Sequence, residues 1–284
     1  MALIHQHLAD ARQALIAAGL SSDVARFDAE LLARHVLGWD RAALISRQRD
    51  TLPEDFANAF SALVARRAKR EPVAYLVGHR EFWGLDFQLT HDVLIPRPET
   101  ELLIEEAKTC AAGADRFEKV IDVGTGSGCI AIALALEFPS AQVVATDMSS
   151  RALAVARRNA ARHGVIDRMT FIETDLLAGI DDTADLIVSN PPYVPSSNAG
   201  GMQPEVDLYE PPVALFSEGP DGLAIIQRLF ATAPCNLAKG GRLMIEFGYG
   251  QETPLRAAAW ETGWHIEHIR NDLQLIPRVA VLRR

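Results

Sequence analysis

A short apolar run at residues 119–123 leads directly into a glycine-containing turn, and a helical pattern follows at residues 129–138. The turn consists of Gly124, Thr125, Gly126, Ser127 and Gly128. A strand, a glycine turn and a helix form the ligand-binding unit of doubly wound α/β folds, because glycines lack the Cβ atoms that would keep a ligand from the backbone. The helix N-terminus then faces that ligand. The sequence therefore predicts a Rossmann-like, doubly wound and mostly parallel sheet.

Two acidic residues extend this unit. Asp147 follows the predicted strand 142–146, about 20 residues past the glycines, where a carboxylate can accept both hydroxyls of a ribose. Asp175 follows the predicted strand 169–174 and precedes Leu176; this pair could hold an adenine ring, the acid at the exocyclic amine and the leucine on a face. The glycine spacing is G-x-G-x-G, whereas a dinucleotide turn reads G-x-G-x-x-G. A nicotinamide dinucleotide site and a plain tight turn are the alternatives for the turn alone.

The tetrapeptide Asn190-Pro191-Pro192-Tyr193 comes directly after the apolar run 186–188, at the end of a fourth predicted strand. Proline has a fixed φ and no N–H, so the carbonyls of this turn point in preset directions. The Asn190 amide oxygen and one such carbonyl could accept both hydrogens of a planar NH2 group, while the Tyr193 ring offers a stacking face. A rigid strand exit is the alternative for the tetrapeptide alone. All these features are expected at the carboxyl edge of one parallel sheet, where ligands bind.

This order of motifs resembles the class I S-adenosylmethionine-dependent methyltransferases, and the tetrapeptide resembles the subset that methylates planar nitrogens: adenine N6, guanine N2 and glutamine N5. Four more runs are similar to the release factor glutamine methyltransferases of the HemK or PrmC type, so that the resemblance covers nearly the whole chain. They are YLVG at 75–78, REFWG at 80–84, IPRPETE at 95–101 and EVDLYEP at 205–211. The resemblance implies a seven-stranded methyltransferase sheet, S-adenosylmethionine as methyl donor with S-adenosylhomocysteine as product, and no metal.

The resemblance also implies roles for individual residues. Donor-binding residues are expected to be Gly124, Thr125, Gly126, Ser127, Gly128, Asp147, Asp175, Leu176 and Asn190. Catalytic residues are expected to be Asn190, Pro191, Pro192 and Tyr193. The implied reaction methylates the side-chain N5 of glutamine in the Gly-Gly-Gln motif of class 1 peptide chain release factors, which would tune translation termination.

Three alternatives remain for the substrate. A ribosomal-protein glutamine methyltransferase belongs to the same class, although the run at 95–101 favours the release factor branch by resemblance. A DNA or RNA adenine-N6 methyltransferase would meet the same two hydrogens on an exocyclic amine. The net charge of -9 counts against it, and stable nucleic-acid binding is not expected. A non-catalytic module that senses the donor is the third alternative, disfavoured because every expected contact position is filled.

The composition indicates which compartment and which cofactors suit the protein. Cys110, Cys129 and Cys235 have no paired spacing, so the sequence predicts neither a disulfide framework nor a zinc site, and a reducing compartment is expected. The histidines are scattered, and His265 and His268 fall on opposite faces of a predicted strand, which disfavours a metal site. No apolar run approaches membrane-spanning length. We expect a cytoplasmic monomer without a membrane partner.

Three segments are expected along the chain. Residues 1–72 are predicted to form a helical bundle, in which Gly19 and Gly38 end individual helices. The resemblance implies that this bundle is the substrate-recognition domain. Residues 73–95 read as a β-hairpin linker and residues 96–284 as the methyltransferase domain. The apolar positions at helical spacing in the bundle are Leu8, Ala11, Leu15, Ala18, Val24, Phe27, Leu31 and Leu32. Thr51 is expected to cap a further helix, with Glu54 three residues on.

Several smaller features complete the prediction. A basic cluster ends the bundle, either as a solvated helix end or as a contact for an acidic partner or ribosomal RNA. Its members are Arg66, Arg67, Lys69 and Arg70. Residues 97–100 are expected to open a helix, and the resemblance places them close to the methyl donor. Residues 190–220 lack a regular period and are predicted to form a substrate-covering loop. The later elements are expected at 221–238, 242–247, 251–262, 264–269 and 276–282.

Overall fold

The computed structural model describes residues 3–47, 49–111 and 117–284, and the chain forms two compact units. The helical unit comprises the residues up to His79 together with Gln203–Tyr209; the sheet unit comprises Arg80–Met202 together with Glu210–Arg284. The described α-helices are α1 (Ile4–Ala17), α2 (Ser22–Leu37), α3 (Arg41–Ser46), α4 (Phe56–Ala68), α5 (Val73–Val77), α6 (Glu101–Ala111), α7 (Cys129–Glu137), α8 (Ser150–Arg162), α9 (Pro204–Tyr209), α10 (Ala224–Thr232) and α11 (Glu252–Glu261). The described strands are β1 (His79–Phe82), β2 (Leu85–Gln88), β3 (Lys119–Val123), β4 (Gln142–Asp147), β5 (Met169–Glu173), β6 (Ala184–Ser189), β7 (Val194–Pro195), β8 (Phe216–Ser217), β9 (Leu237–Glu246), β10 (His265–Asn271) and β11 (Pro277–Arg283).

The helical unit buries one apolar cluster, in which the rings of Phe56 and Phe60 are stacked with centroids 5.2 Å apart. Gly19 and Gly38 have φ of 88° and 64° and follow α1 and α2, which confirms both as helix stops. Val24 and Phe27 lie outside the core, since their side chains are 43% and 56% exposed. Helix α2 instead turns a stripe of small residues inward, and alanines allow neighbouring helices to approach closely. The predicted apolar stripe is therefore wrong at those two positions.

Two local predictions in the helical unit are wrong because of prolines. Helix α4 begins at Phe56, with Asp55 preceding it, so Thr51 does not cap it. The intervening Pro53 accepts a turn hydrogen bond from the Phe56 N–H, and the helix starts only after that turn. The strand-like run 74–77 belongs to helix α5, which starts after Pro72 and ends at Gly78 with φ of 80°. The fixed φ of proline suits the first turn of a helix, and glycine adopts the left-handed conformation at the helix end without steric strain.

The basic cluster at the end of α4 is largely paired inside the helical unit. Arg67 is buried; its Nε donates to Asp28 Oδ2 at 2.7 Å and its Nη1 lies 3.0 Å from Glu205 Oε1. Arg70 donates to Glu205 Oε2 at 2.7 Å, and Arg66 pairs with Glu71 at 2.5 Å. Burial opposes the charge of Glu205, but the hydrogen bonds from Arg70 and Arg67 lower its pKa. A solvated helix end is thus wrong for Arg67 and Arg70, whose counter-charge comes in part from Glu205 of α9, whereas Arg66 is exposed and pairs with Glu71.

The sheet unit is built on one seven-stranded sheet in the order β10-β11-β9-β6-β3-β4-β5. Strands β9, β6, β3, β4 and β5 are parallel to their neighbours in this series, whereas β11 is antiparallel to β9 and β10 is antiparallel to β11. The carboxyl ends of the four predicted ligand-binding strands therefore meet at one edge. The predicted mostly parallel, Rossmann-like sheet with a separate helical bundle and a hairpin is confirmed.

Apolar residues that alternate along the central strands fill a core on each face of the sheet. Val120 and Leu186 belong to one cluster, with α6 and α7, while Ile121 and Ile187 belong to the other, with α10 and α11. The β1–β2 hairpin contributes Phe82 and Phe87 to the first cluster. Most of the predicted hairpin thus packs within the sheet unit. The division of the chain at residues 72 and 95 into a recognition domain, a linker and a methyltransferase domain stays a prediction.

The helix expected at residues 221–238 is shorter in the structure, where α10 spans Ala224–Thr232 and β9 already begins at Leu237. Gly222 has φ of 70°, outside the right-handed helical region, so α10 begins only after that turn. At the other end, Pro234 falls in a 3-10 turn because it has no N–H for an α-helical bond.

The described ranges lack two features that define other protein classes. No helix there is long and apolar enough to cross a membrane. No group of three or more His, Cys, Asp or Glu side chains there is placed to hold a metal ion.

Candidate active site

The glycine turn is held against β4 by its own backbone. The N–H groups of Gly124 and Thr125 both donate to the Thr146 carbonyl at 2.9 Å. Gly124 and Gly126 have φ of 74° and 55°, and a Cβ built on either would meet no described atom within 4 Å. A Cβ on Gly128 would instead lie 3.0 Å from Ile132 and 3.1 Å from Ala156. The first two glycines thus leave one side of the turn open to a ligand, while the third allows close helix packing.

Asp122, the fourth residue of β3, is a site residue that the sequence reasoning did not single out. Its Oδ2 accepts from Thr125 Oγ1 at 2.7 Å and from the Ala131 N–H at 3.2 Å. In the described part of the chain, Oδ1 is buried and has no hydrogen-bond partner. Burial raises the pKa of Asp122 to about 7. A carboxyl inside an otherwise apolar strand was the available signal, since such burial is costly without a partner.

Asp147 is the last residue of β4 and reaches the glycine turn, as the sequence predicts. Its Oδ2 accepts from the Gly126 N–H and its Oδ1 from the Ser149 N–H, each at 2.9 Å. Burial raises the pKa of Asp147, against these backbone hydrogen bonds. A carboxylate has about four acceptor positions, so lone pairs remain for the hydroxyls of a ribose. The geometry fits a donor-binding carboxylate that the glycine turn itself holds in place.

The predicted adenine pair is arranged differently from Asp147. Asp175 is exposed, and its Oδ2 accepts from Arg228 Nη2 of α10 at 2.5 Å. Leu176 has φ of 55°, its carbonyl accepts from Thr146 Oγ1 at 3.0 Å, and its side chain packs partly buried on the α10 face of the core. Leu176 is therefore fixed beside the end of β4, whereas the Asp175 carboxylate is shared with an arginine that the sequence reasoning missed.

The tetrapeptide 190–193 leaves the carboxyl end of β6, where Ser189 Oγ donates to the Val123 carbonyl at 2.8 Å. Asn190 Nδ2 donates to Thr100 Oγ1 at 3.0 Å, so segment 97–100, which does open α6 as a 3-10 turn, reaches the tetrapeptide. With its NH2 end engaged, the Asn190 amide oxygen is the end left to accept from a substrate. The placement of segment 97–100 next to the donor stays a prediction.

Pro191 is buried and Pro192 is half-buried, while Tyr193 is anchored at two points. Its carbonyl accepts from Gln251 Nε2 at 2.7 Å, and its hydroxyl donates to Glu246 Oε1 at 3.1 Å. The Tyr193 carbonyl is therefore already used, which leaves the proline carbonyls as the candidates for a second acceptor. Burial and the Glu246 carboxylate both raise the pKa of Tyr193, so its hydroxyl stays a donor.

Glu246, at the end of β9, is a further site residue that the sequence reasoning missed. It is 1% exposed, and its Oε2 has no hydrogen-bond partner among the residues that the structure describes. Burial raises the pKa of Glu246 to about 7, although the hydrogen bond from the Tyr193 hydroxyl favours its charged form. The signal was an acid near the end of the predicted strand 242–247, at the same sheet edge as Asn190.

A cavity of about 50 Å³ adjoins the tetrapeptide. Its lining includes Leu94, Arg97, Asn190, Pro191, Tyr193 and Val194. Arg97 is paired with the buried carboxylate of Glu210, which also accepts from the Ile95 N–H at 3.3 Å. The cavity thus combines apolar walls with one amide and one fixed cation.

Segment 190–220 is not one continuous loop. It contains the short strands β7 and β8, which pair with each other, and helix α9, which belongs to the helical unit. Glu210 returns to the sheet unit and pairs with Arg97, but Glu205 does not, because it binds Arg67 and Arg70. A single irregular loop is therefore wrong for this segment, and its covering of the substrate stays a prediction.

Comparisons with known proteins agree with this geometry. A solved ribosomal protein L11 methylase from Lactobacillus delbrueckii subsp. bulgaricus matches with a TM-score of 0.51 and 23% identity, over 69% of this chain and 83% of that one. A solved methyltransferase from Pyrococcus furiosus matches with a TM-score of 0.53 and 19% identity, over 77% and 97%. At these identities the likeness shows the fold. The fold is the Rossmann-like fold that these methyltransferases share.

The family follows from sequence. Residues 6–78 match the PrmC N-terminal domain and residues 98–202 match the methyltransferase small domain. A release factor glutamine methyltransferase from Cereibacter sphaeroides is 46% identical over 84% of this chain and 82% of its own length, and one from Geobacter sulfurreducens is 46% identical over 84% and 83%. One from Xylella fastidiosa is 42% identical over 95% and 97%. The chain belongs to the release factor glutamine methyltransferase family.

Proposed function

We propose that this chain methylates the side-chain N5 of the glutamine in the Gly-Gly-Gln motif of class 1 peptide chain release factors, with S-adenosylmethionine as donor. The observation that carries this proposal is the engagement of Asn190 Nδ2 by Thr100 at 3.0 Å, which presents the Asn190 amide oxygen as an acceptor. The relatives, named release factor glutamine methyltransferases, supply the substrate class.

An amide nitrogen is a poor nucleophile, because its lone pair is delocalised into the carbonyl. Acceptance of both of its hydrogens, by Asn190 Oδ1 and the Pro191 carbonyl, would raise the electron density on nitrogen and favour pyramidalisation. No covalent intermediate with the chain is required. Positioning of nitrogen and methyl carbon about 3 to 3.5 Å apart supplies up to roughly 7 to 11 kcal/mol in ideal cases, so orientation dominates the chemistry.

The residues at the glycine turn fit the methyl donor. Gly124 and Gly126 keep one side of the turn free of Cβ atoms, and Asp147 is held there with acceptor capacity to spare. Asp122 adds a buried oxygen without a partner in the described residues. S-adenosylmethionine, when bound, supplies an electrophilic methyl group on a sulfonium. Asp175 and Leu176 are assigned to the adenine ring, with Arg228 sharing the Asp175 carboxylate.

We further propose roles for the helical bundle and for the segment that follows it. The helical bundle recognises the release factor, and the match of residues 6–78 to the PrmC N-terminal domain supports a dedicated module there. Segment 73–95 joins it to the methyltransferase domain, in which no metal takes part. We assign the protein to the cytoplasm, as a monomer that does not bind nucleic acid stably.

The test is methyl transfer from radiolabelled S-adenosylmethionine to three substrates: an unmethylated class 1 release factor, its Gln-to-Ala variant in the Gly-Gly-Gln motif, and unmethylated DNA. Label on the intact factor alone is the expected result. Label on DNA, or equal label on both protein variants, would contradict the proposal. A ribosomal-protein extract in a fourth reaction separates the two glutamine substrates.

A further inference from the structure

We infer that Gln251 is a positioning residue, which anchors the exit of the tetrapeptide 190–193 and thereby sets the direction of the Pro191 carbonyl. This inference rests on the proposed function, because that carbonyl is the second acceptor for the substrate amide in the proposed reaction. Gln251 lies between β9 and α11, far along the chain from the tetrapeptide, and is only 7% exposed.

The carboxamide of Gln251 binds the backbone of three different loop segments. Its Nε2 donates to the Tyr193 carbonyl at 2.7 Å and to the Asp221 carbonyl at 2.6 Å. Its Oε1 accepts from the Gly248 N–H at 2.6 Å. A side-chain amide has two N–H donors, so both donors of Gln251 are used. Gln251 is therefore placed to hold the three segments together and not to donate to a substrate.

Two glycines allow these segments to approach so closely. A Cβ on Gly222 would lie 2.3 Å from the Tyr193 carbonyl oxygen and 3.0 Å from Pro195 N. A Cβ on Gly248 would lie 2.8 Å from Gln251 Oε1 and 3.0 Å from Tyr193 Cδ2. A larger residue at either position would displace the Tyr193 carbonyl or the Gln251 carboxamide. Both glycines thus support the same contact.

The two prolines of the tetrapeptide do not fix the Pro191 carbonyl by themselves. Proline fixes its own φ, and the proline that follows confines ψ of Pro191 only to about +120° to +160°. With a C=O bond of about 1.23 Å, rotation through this range moves the oxygen by about 0.7 Å. Catalytic groups need to be held within about 0.5 Å of their productive position. The segment therefore needs an anchor at each end.

Both ends of the tetrapeptide are anchored in the structure. The upstream end continues from β6, which pairs with β3 and β9. At the downstream end, the peptide unit that joins Tyr193 and Val194 is bound on both sides. Its N–H donates to the Leu215 carbonyl at 3.0 Å, and its C=O accepts from Gln251. One bond alone would let this peptide pivot, whereas two bonds on opposite sides fix its plane.

The experiment measures kcat, Kd for S-adenosylmethionine and Tm for variants of Gln251, with an unmethylated class 1 release factor as substrate. Gln251→Glu replaces the donating NH2 group by an oxygen that faces two carbonyls, and Gln251→Met removes the hydrogen bonds at similar length without a charge. Asn236→Asp is the matched control. Asn236 is a buried carboxamide that donates to the Ile180 and Asp182 carbonyls at 2.6 and 3.0 Å, but it precedes β9, whereas Gln251 follows it.

We expect Gln251→Glu and Gln251→Met each to lower kcat by roughly 100-fold, the scale of a misplacement of about 1 Å in an active site. The Kd for the donor should change little. Asn236→Asp should lower the Tm by an amount comparable to Gln251→Glu, because each leaves two buried carbonyls without donors. Below its Tm, Asn236→Asp should keep the kcat of the unaltered chain.

A second variant disturbs the same carbonyl from another side. Gly222→Ala places a Cβ against the Tyr193 carbonyl, so it should also lower kcat without a change in the Kd for the donor. Gly164→Ala is its matched control, since Gly164 has the same φ of 70° but open space at its Cβ position among the described residues. Backbone strain alone would affect the two alanine variants equally.

A folded Gln251→Met variant with unaltered kcat would overturn the inference, because a purely structural role lowers the Tm alone. So would an equal loss of kcat in Asn236→Asp, or a loss of turnover that saturating S-adenosylmethionine restores. If the Gln251 variants do not fold, Gly222→Ala decides, and unaltered kcat in that variant would contradict the inference. Absence of methylation by the unaltered chain would instead contradict the proposed function, so the two failures are distinguishable.

Discussion

The two halves of the sheet edge are held in different ways. The donor half, around Gly124 and Gly126, is fixed by backbone bonds to the end of β4 and by an Asp147 carboxylate that accepts a backbone N–H. The acceptor half, around Asn190, is fixed by side chains that come from three distant segments. Backbone contacts tolerate changes in neighbouring side chains, whereas a hydrogen bond between two side chains is lost when either residue is replaced. Function in the acceptor half should therefore be the more sensitive to single substitutions.

The largest effect is expected for Asn190→Ala. Loss of the carboxamide removes one acceptor for the substrate, so we expect turnover to fall by roughly 100-fold or more, with little change in the Kd for S-adenosylmethionine. Asn271→Ala is the matched control, since Asn271 is exposed on β10 at the far edge of the sheet and should not affect turnover. Methylation assays and calorimetry would measure both quantities. Unchanged turnover in Asn190→Ala would remove the acceptor half from the mechanism.

The next effect is expected for Gly126→Ala, which tests the donor half. Gly126 has φ of 55°, and the added Cβ would project where the donor is proposed to lie. Gly164→Ala is a matched control, because Gly164 has φ of 70° and an equally open Cβ position among the described residues, but outside the site. Each variant should lose about 1 kcal/mol of stability from left-handed backbone strain. Only Gly126→Ala should weaken donor binding, by roughly tenfold or more; equal Kd values for the two variants would contradict the proposed donor position.

A smaller effect is expected in the pH dependence of stability, through the buried Asp122. The pKa of folded Asp122 lies near 7, above its ordinary value of 3.8, so the folded chain retains a proton that the unfolded chain has lost in this window. Stability linked to Asp122 is thus present below pH of about 4 and is lost as the pH rises through about 7. Asp122→Asn should reduce the slope of unfolding free energy in that window by up to about 1.4 kcal/mol per pH unit. Chemical denaturation at several pH values measures the slope, and an unaltered slope would contradict the burial of a proton at Asp122.

The smallest effect is expected for Arg228→Ala. Arg228 and Asp175 form an exposed pair, and such pairs contribute about 0 to 1 kcal/mol. Removal of Arg228 frees the Asp175 carboxylate, so the Kd for S-adenosylmethionine should fall slightly, by less than about fivefold. Arg256→Ala breaks the exposed pair with Glu252 and is the matched control. A weaker donor affinity in Arg228→Ala alone would mean that the arginine itself contacts the donor.

The donor half could be predicted from the sequence because its signals are local. The run from β3 through the glycine turn to α7 is contiguous, and Asp147 lies at the end of the next strand. Thr100 and Glu246 could not be assigned in this way. Each is separated from Asn190 by many residues, and only the pairing of β6 with β9 and the start of α6 bring them to Asn190. Their roles depend on tertiary packing, which no sequence period encodes.

Errors in the fold have similarly physical reasons. Val24 and Phe27 fit a helical period, but alanines on the adjacent face of α2 allow closer packing and fill the interior instead. The run 74–77 has strand-like composition, but a proline before it and a glycine after it define a short helix. Propensity was overridden by packing in the first case and by the end residues in the second.

The buried ion pairs of the helical unit have a consequence for the order of folding. Arg67 needs both Asp28 and Glu205, and Glu205 is encoded more than a hundred residues after the last helix of the bundle. During synthesis the first five helices therefore emerge before Glu205 exists, when Arg67 has Asp28 but lacks the second carboxylate that pairs with it in the complete chain. The ion pairs of Arg67 and Arg70 with Glu205 can form only after the chain has been extended past α9, although the first five helices are made long before it.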